Sequence, residues 1–511
     1  MHPKTHAITS PHKPAIVMVG SGESVTYAQL DSRSNQGAHL FRDMGLDSGD
    51  VIAIFMDNSP VFLEAAWAAQ RSGLYYACIS ARASTSEVEY IVRDSNAKVL
   101  ICSERLSGSA RDAIKDLSNV RLLIACMSTP GAESFELLRG RYPNSPVVDE
   151  TAGSDMLYSS GTTGRPKGIK PKGAAGRPID APDRVTTLAQ SRFGLTADSV
   201  YLSPAPLYHA APLRWCMAVH RLGATVIMLE KFDAAVALNA IQKYRVDAAQ
   251  WVPTHFVRLL KLDAEERLKF DVSSLKVAIH AAAPCAVPVK EAMISWWGPI
   301  LHEYYGGSEG IGMTAINCDE WQRKRGSVGK AISGEIHICD DTGAPLSNDQ
   351  DGVVYFSGGG DFEYHNDPEK TAESHNALGW ATMGDIGHLD KDGYLYLTDR
   401  KSFMFISGGV NIYPQEIENQ LINHPSVADV AVIGVPDDEM GERAVAVIQP
   451  VKWEDAGPEL AAELTAFVRS RISHVKTPRQ VDFMKELPRH ENGKLYKRAL
   501  RDAYLSNKGA R

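Results

Sequence analysis

Several things are scarce or missing in this chain of 511 residues. No run of about 18 consecutive apolar residues occurs, which excludes a bilayer-spanning helix. Cysteine is sparse, seven in all, at positions 78, 102, 126, 216, 285, 318 and 339. None stands in a C-x-x-C pair, so neither a disulfide framework nor a cysteine zinc site is expected, and reduced, buried thiols are. Positive charge is not in surplus: Lys plus Arg number 54 against 62 Asp plus Glu, a net −8. That argues against a nucleic-acid-coating role, which clustered cations drive. The opening MHPKTHAITSPHKPAIVM lacks the apolar stretch of a secretory signal, so the expected compartment is the cytoplasm. What is present, 44% apolar and 23% charged residues, is ordinary for a globular protein with length for two to four folding units.

Apolar runs and helical stretches alternate through the first two thirds of the chain. VIAIF (Val51–Phe55) precedes a helical stretch closed by Gly73; YYACIS, a helix around EVEYIVRDSN and KVLICS (Lys98–Ser103) follow. The rhythm returns at ATVIML (Ala224–Leu229), AVALNAIQKY and VDAAQWV, and again at SLKVAIHAAA before a helix at Val289–Trp297. Strand and helix in alternation predict α/β with parallel strands. After about residue 325 shorter strands with frequent turns (GEIHICDDTG, GVVYFSGG, GYLYLTDR) predict a small β-rich subdomain. Beyond Lys401 a compact α+β unit is expected, with helices at Pro414–His424 and Pro458–His474 and strands at VADVAVIGV and RAVAVIQPV. The domain boundary is expected near Asp399–Ser402.

The strongest local signal is Tyr158–Gly168, YSSGTTGRPKG. Small residues and hydroxyls let backbone N–H groups approach phosphate oxygens, and Lys167 adds a point charge. It is not a Walker A loop: counting from Gly161, Pro166 stands where the second Gly should be, and Gly168 follows the Lys. A P-loop NTPase is therefore disfavoured.

SSGTTGRPKG resembles the signature loop of the adenylate-forming superfamily, which includes acyl-CoA synthetases, aryl-CoA ligases, luciferases and peptide-synthetase adenylation domains. Further resemblances follow in that family's order. PLYHAAP (Pro206–Pro212) is similar to its acyl-pocket segment, AAAPC (Ala281–Cys285) to its adenine-side turn and YYGGSEG (Tyr304–Gly310) to its Y-G-x-[ST]-E motif. MGDIG (Met383–Gly387) resembles the ribose-binding motif, TDRKSFMFISGGVNIYPQEIE the hinge, and LPRHENGKLYKR (Leu487–Arg498) the C-terminal lysine motif. The resemblance spans nearly the whole chain. It implies an α/β fold, with a large N-terminal ATP- and acyl-binding domain (1–399) of mixed sheets flanked by helices and a small mobile α+β lid (400–511).

The resemblance also implies a chemistry. A carboxylate attacks the α-phosphorus of ATP, pyrophosphate leaves, and the acyl-adenylate then passes its acyl group to CoA. Both first partners are anionic, so cations and donors clustered around the phosphates are what such a reaction needs. Ser159, Ser160, Gly161, Thr162, Thr163, Gly164 and Lys167 are implied at the phosphates, with Thr163 among the residues at the reaction centre. Glu309 is implied as the Mg²⁺ ligand, a hard-cation role for one carboxylate with substrate phosphates. Asp385 is implied at the ribose and Arg400 at the nucleotide. Ala282, Tyr304 and Tyr305 are implied around the adenine, the two tyrosines reading equally well as core aromatics, and Ser308 is implied at the nucleotide. Lys494 is implied as the lysine bridging carboxylate and α-phosphate. After lid rotation, Gly408 and Gly409 are implied at the pantetheine tunnel; Ser402 falls at the hinge, where relatives commonly carry Asp or Lys.

For the acid, Gly306 occupies the position where acetate-specific relatives place Trp, which implies a longer or bulkier substrate. His209 and Trp215 are expected beside the pocket entrance, and no cation is read in these segments. The expected substrate is thus a hydrophobic monocarboxylic acid, medium- or long-chain fatty first, with aryl-propenoic and steroid-side-chain acids as alternatives. A stand-alone acyl-AMP ligase loading a carrier protein, a luciferase-like side activity and a catalytically dead nucleotide binder are the competing readings. The chain stops at Arg511 with no carrier domain expected, and a homodimer is left open. After Gly168, IKPKGAAGRPIDAPD predicts a loop near the site.

Overall fold

The computed structural model describes residues 1–129, 131–159, 166–171, 176–437, 439–489 and 495–508. Three sheets organise it. The first runs Phe362–Tyr364, Lys167–Pro171, Ser154–Ser159, Tyr75–Cys78, Val51–Phe55, Ala97–Ser103 and Arg121–Ala125 in spatial order. Val51–Phe55 pairs in parallel on both sides and every residue of it is buried. A strand covered on both faces is apolar throughout, and VIAIF reads that way.

The second sheet has thirteen strands. Six form a parallel run: Leu301–Gly306, Val277–His280, Ala248–Trp251, Val200–Ser203, Thr225–Met228 and Pro14–Met18. Successive side chains alternate between two cores, as the pleat requires. Tyr201, Ala248, Ile279 and Tyr304 face the core shared with the first sheet, while Leu202, Ala249 and Ala278 face a second core with Trp251 and Phe256. From Leu301–Gly306 the sheet continues antiparallel through Met313–Ile316 and Ser327–Ser333 into Leu395–Arg400, Ala381–Leu389, Gly352–Ser357 and Glu335–Cys339. The β-rich region is thereby joined edge-on to the large sheet, with Ser327–Ser333 as the shared strand.

Helix Pro60–Arg71, whose every residue is buried, packs between the two large sheets. Helix Tyr27–Asp43 starts with a capping box from Thr26 and Gln29. The third sheet holds Val410–Ile412, Phe405–Ser407, Gly441–Pro450, Val427–Asp437 and Gln480–Phe483. Helices Pro414–Leu421 and Pro458–Arg469 share one of its cores, and Lys497–Lys508 reaches another through Leu500 and Tyr504. Among the described residues no helix is long and apolar enough to cross a membrane.

Two local expectations change. Ile169–Pro171, read as the start of a loop, instead ends the strand Lys167–Pro171: its backbone pairs with Ser154–Ser159 on one side and Phe362–Tyr364 on the other, and Ile169 is buried. Pro171 closes it, where its missing N–H costs no ladder bond. The seven cysteines are free, yet Cys126 is exposed and Cys285 only partly covered.

One buried ion pair supports the strand that leads into the site. Lys290 of helix Val287–Trp297 reaches Glu303 of Leu301–Gly306 at 2.6 Å, with both side chains almost fully covered. His280 Nε2 lies 3.6 Å from the same carboxylate oxygen, and burial drives the His280 imidazole well below its ordinary value, so it stays neutral. Removing one member of such a pair leaves an uncompensated charge. Lys290→Met is expected to lower unfolding free energy by about 3 kcal/mol at neutral pH in urea titrations. Burial already raises the Glu303 carboxyl, and losing Lys290 raises it further. The deficit therefore shrinks as pH falls through the raised folded value and is gone below about pH 4.3, where the carboxyl becomes protonated in the unfolded state as well.

Candidate active site

Period-two alternation along Leu301–Gly306 sends Tyr304 and Tyr305 to opposite faces. The Tyr305 hydroxyl donates to Asp385 Oδ2 at 2.7 Å. Asp385 stands on Ala381–Leu389 directly across from Arg400 on Leu395–Arg400, and Arg400 Nε donates to Asp385 Oδ1 at 3.0 Å. Each carboxylate oxygen thus has one protein donor and a lone pair to spare for a further hydroxyl. Burial, followed by the Asp385 charge, pushes the Tyr305 phenol well above its ordinary value, so it remains a donor. The Asp385 charge, with Glu309 a smaller contributor, raises the Arg400 guanidinium and keeps it cationic.

Glu309 follows in the Gly307–Gly310 loop. Its Oε1 accepts from the Tyr364 hydroxyl at 3.1 Å, and no described residue bonds its second oxygen. Lys167 Nζ lies 5.5 Å over the Tyr364 ring, a cation–π contact. Burial, then neighbouring Lys370, lowers the Lys167 ammonium. A Cβ at Gly307 would strike Met383 Sδ and Glu309 Oε2, so any side chain there must displace one or both of them. This closeness lets the loop carrying Glu309 lie against the strand carrying Asp385.

Ala282 adopts φ +77° and is exposed in the turn after Val277–His280. A non-glycine residue there carries about 1–2 kcal/mol of strain, the kind of cost that persists at functional sites.

On the other face, Trp215 does not stand at an entrance. It is 2% exposed on helix Ala210–Leu222, stacks on Tyr201 with centroids 6.2 Å apart, and donates from Nε1 to the Tyr304 hydroxyl at 3.2 Å. Gln250 Nε2 donates to the same hydroxyl at 2.7 Å. Tyr304 therefore lies with Trp215 and Gln250, on the opposite face from Asp385, in the surroundings that its core-aromatic reading describes, while Tyr305 faces Asp385. His209 occupies the N-cap of the helix with its ring 4.5 Å from that of Tyr208. Gly306 pairs with Met313, and a Cβ on it would sit 3.2 Å from the Gly312 carbonyl oxygen.

A cation overlooked in the sequence stands here. Arg214, one residue before Trp215, pairs with Asp155 Oδ2 at 2.8 Å and reaches the Ser308 carbonyl at 3.4 Å. It ties the strand before the Gly/Thr segment to the helix and to the Glu309 loop. Tyr364 was missed as well; its short edge strand carries no motif, and only the pairing of Ile169 with Tyr364 brings it to Glu309.

Ser160, Gly161, Thr162, Thr163, Gly164 and Lys494 lie outside the described residues. Ser159 ends its strand directly across from Lys167. Ser308 is partly buried. Gly408 and Gly409 form an exposed two-residue turn between Phe405–Ser407 and Val410–Ile412, at φ +56° and +80°; Gly408 abuts Met440. Such signs suit a tight hairpin. Ser402 is exposed just beyond Arg400. Beside it, Asp399 accepts from the Gln415 backbone N–H at 2.8 Å, in the first turn of Pro414–Leu421, linking the two sides of this segment.

The geometry is a cradle of one bridged carboxylate, one open carboxylate and cations at the junction of two sheets. A model of the AMP-binding enzyme family matches residues 4–363, and one of the AMP-binding enzyme C-terminal domain matches residues 416–494. The chain belongs to the AMP-binding enzyme family and is an AMP-forming CoA ligase. It is 32% identical over 521 residues to the long-chain-fatty-acid–CoA ligase FadD13 of Mycobacterium tuberculosis, a match covering 98% of this chain and 97% of that one. Feruloyl-CoA synthase of an Amycolatopsis species is 31% identical, with 98% and 97% covered. ATP-bound MatB from Rhodopseudomonas palustris superposes with a TM-score of 0.82 at 27% identity, over 99% of both chains.

Gly307→Ala is expected to push the Glu309 loop away from Met383 and cut acid-dependent ATP–pyrophosphate exchange about 100-fold, with the circular dichroism spectrum unchanged. Ala282→Gly should relieve backbone strain and raise unfolding free energy by about 1 kcal/mol in denaturant titrations.

Proposed function

We propose that the protein activates a mainly hydrophobic, ring-sized monocarboxylic acid with ATP and transfers the acyl group to CoA. The observation that carries this is the Tyr305–Asp385–Arg400 bridge beside the open oxygen of Glu309. In this reading Asp385 accepts from the ribose hydroxyls with its remaining lone pairs. Tyr305 and the Ala281–Cys285 turn border the adenine. Ser159, Ser160, Gly161, Thr162, Thr163, Gly164 and Lys167 meet the phosphates, and Arg400 adds charge beside the nucleotide.

The substrate carboxylate oxygen attacks the α-phosphorus, the bond to the β-phosphate oxygen breaks, and pyrophosphate leaves. Lys494, on the unit spanning 400–511, holds the two anions together during that step. Pairing the nucleophile with a cation offsets repulsion between negative groups, the kind of preorganised electrostatics that dominates such chemistry. The CoA sulfur then attacks the acyl carbon and AMP departs, with Gly408 and Gly409 leaving room for the pantetheine arm and Ser402 as the pivot. The free oxygen of Glu309, in a set with a single carboxylate, fits a Mg²⁺ that takes its other ligands from phosphates. That ion would supply neutralisation of phosphate charge.

Ring size is supported by Trp215 and Tyr304, which fill the end of the acyl segment with buried aromatic rings, and by the similarity to feruloyl-CoA synthase. A straight medium or long chain is the second reading, favoured by the similarity to FadD13.

Acid-dependent exchange of pyrophosphate into ATP, followed by thioester formation with free CoA, tests the reading. Exchange without thioester on CoA would turn the assignment toward a carrier-loading ligase, and no exchange with any acid would sink it. Across an alkanoate series and a set of cinnamic acids, kcat/KM should be highest for the ring acids. Lys494→Ala is expected to lower exchange by about 1,000-fold while leaving CoA transfer from supplied acyl-adenylate within a few-fold.

A further inference from the structure

The sheet face beneath helix Ala210–Leu222 is polar where a pocket for plain hydrocarbon would be greasy. Register places Tyr201, Gln250 and Tyr304 on that one face, from three parallel strands. All three are buried. The Tyr201 hydroxyl has no hydrogen-bond partner among the described residues. The Tyr304 hydroxyl receives N–H groups from Trp215 at 3.2 Å and Gln250 at 2.7 Å. A phenol offers two acceptor positions and one proton. Both acceptor positions are occupied, and the proton finds no acceptor among the described residues. Turning the Gln250 amide over merely hands the surplus proton to its NH₂. A buried donor left without an acceptor is costly, so the arrangement suits an oxygen supplied from outside the protein.

Arg214 adds the second part. Nε and Nη2 face Asp155 at 3.0 and 2.8 Å, and Nη2 also reaches the Ser308 carbonyl at 3.4 Å. Nη1 has no partner among the described residues, and 27% of the side chain is exposed. One edge of the guanidinium is clamped between the Ser154–Ser159 strand and the Glu309 loop; the other edge is open. The Asp155 carboxylate already balances its charge. A second full negative charge would bring two anions to one cation, whereas a neutral oxygen would gain a donor without that repulsion.

We infer that Arg214 and Tyr304 read a neutral oxygen at the far end of the acid, a carbonyl, phenolic hydroxyl or ether, so that the substrate is an oxygen-bearing acid. The inference rests on the reading of the Pro206–Pro212 segment and its helix as the acyl wall. It makes Arg214 and Tyr304 specificity-determining residues, acting on the tail of the acid and not on its reacting carboxylate.

The test compares kcat/KM for CoA thioester formation with 4-hydroxycinnamate, cinnamate and 4-carboxycinnamate. Decanoate and 9-oxodecanoate form a second pair, so that a chain acid reads the same ratio. The wild-type protein should prefer the oxygen-bearing member of whichever pair it uses by about tenfold or more, the worth of one buried hydrogen bond, and should use the dicarboxylate least. Tyr304→Phe should bring the ratio toward one, chiefly through the oxygen-bearing acid. Arg214→Lys, which keeps a cation beside Asp155 and loses the open edge of the fork, should lower the same ratio. Unequal loss between two acids that share a carboxylate is a readout that a general packing defect would not give. A wild-type ratio at or below one, a ratio unmoved in both variants, or a preference for the dicarboxylate would overturn the inference while leaving the ligase reading intact. No exchange with any of the acids would take both down together.

Discussion

Everything around the site depends on how the two oxygens of Asp385 are held. Tyr305 comes from the last parallel strand of the large sheet, and Arg400 from the antiparallel strands joined to it through Ser327–Ser333. The carboxylate is therefore clamped by two architectures that meet only in the folded chain. Its charge keeps Arg400 cationic, and burial with that charge keeps Tyr305 protonated. An anion fixed between two donors is rigid and partly desolvated, and its spare lone pairs point in set directions. Such preorganisation is what a hydroxyl-bearing ligand needs, because little ordering remains for the moment of binding.

The second constraint is glycine. At Gly307 two side chains close in, with Met383 and Glu309 occupying the volume a Cβ would need. Glu309 can then share a loop with the end of the tyrosine strand and still lie beside the ribose-side strand. Tyr364 completes the junction from the first sheet: its hydroxyl bonds Glu309, and its ring lies under Lys167. Lys167 and Glu309 are thus both tied to Tyr364 on the edge strand of the first sheet. The strain at Ala282 fits the same picture, a turn held in a costly shape by rigid elements around it.

Polarity on the acyl side follows from the same strand. The residue that faces away from Asp385 is a tyrosine whose hydroxyl collects two donors, and the cation next to it is already balanced by Asp155. Trp215, Tyr304 and Arg214 together combine aromatic rings with hydrogen-bonding capacity. Buried donors lose more on meeting hydrocarbon than on meeting an acceptor, which is the physical ground of the proposed preference for an oxygen-bearing acid.

Much of this was legible in the linear order of residues. VIAIF reads as a strand in a parallel α/β rhythm, and the ordered run from SSGTTGRPKG to LPRHENGKLYKR points to the AMP-binding enzymes. Glu309, Asp385 and Arg400 were all marked by their motifs before any geometry was known. Tertiary structure alone decided the rest. Arg214 looked like one charged residue in an apolar helix, since nothing local reveals Asp155, 59 positions away. Tyr364 had no motif, because its role comes from a strand pairing. Tyr304 and Tyr305 are adjacent letters, and only the pleat parts them, one toward Trp215 and Gln250 and the other toward Asp385. Short-range patterns carry propensity and motif chemistry; which faces meet is set by long-range pairing, and that is where the specificity of this site arises.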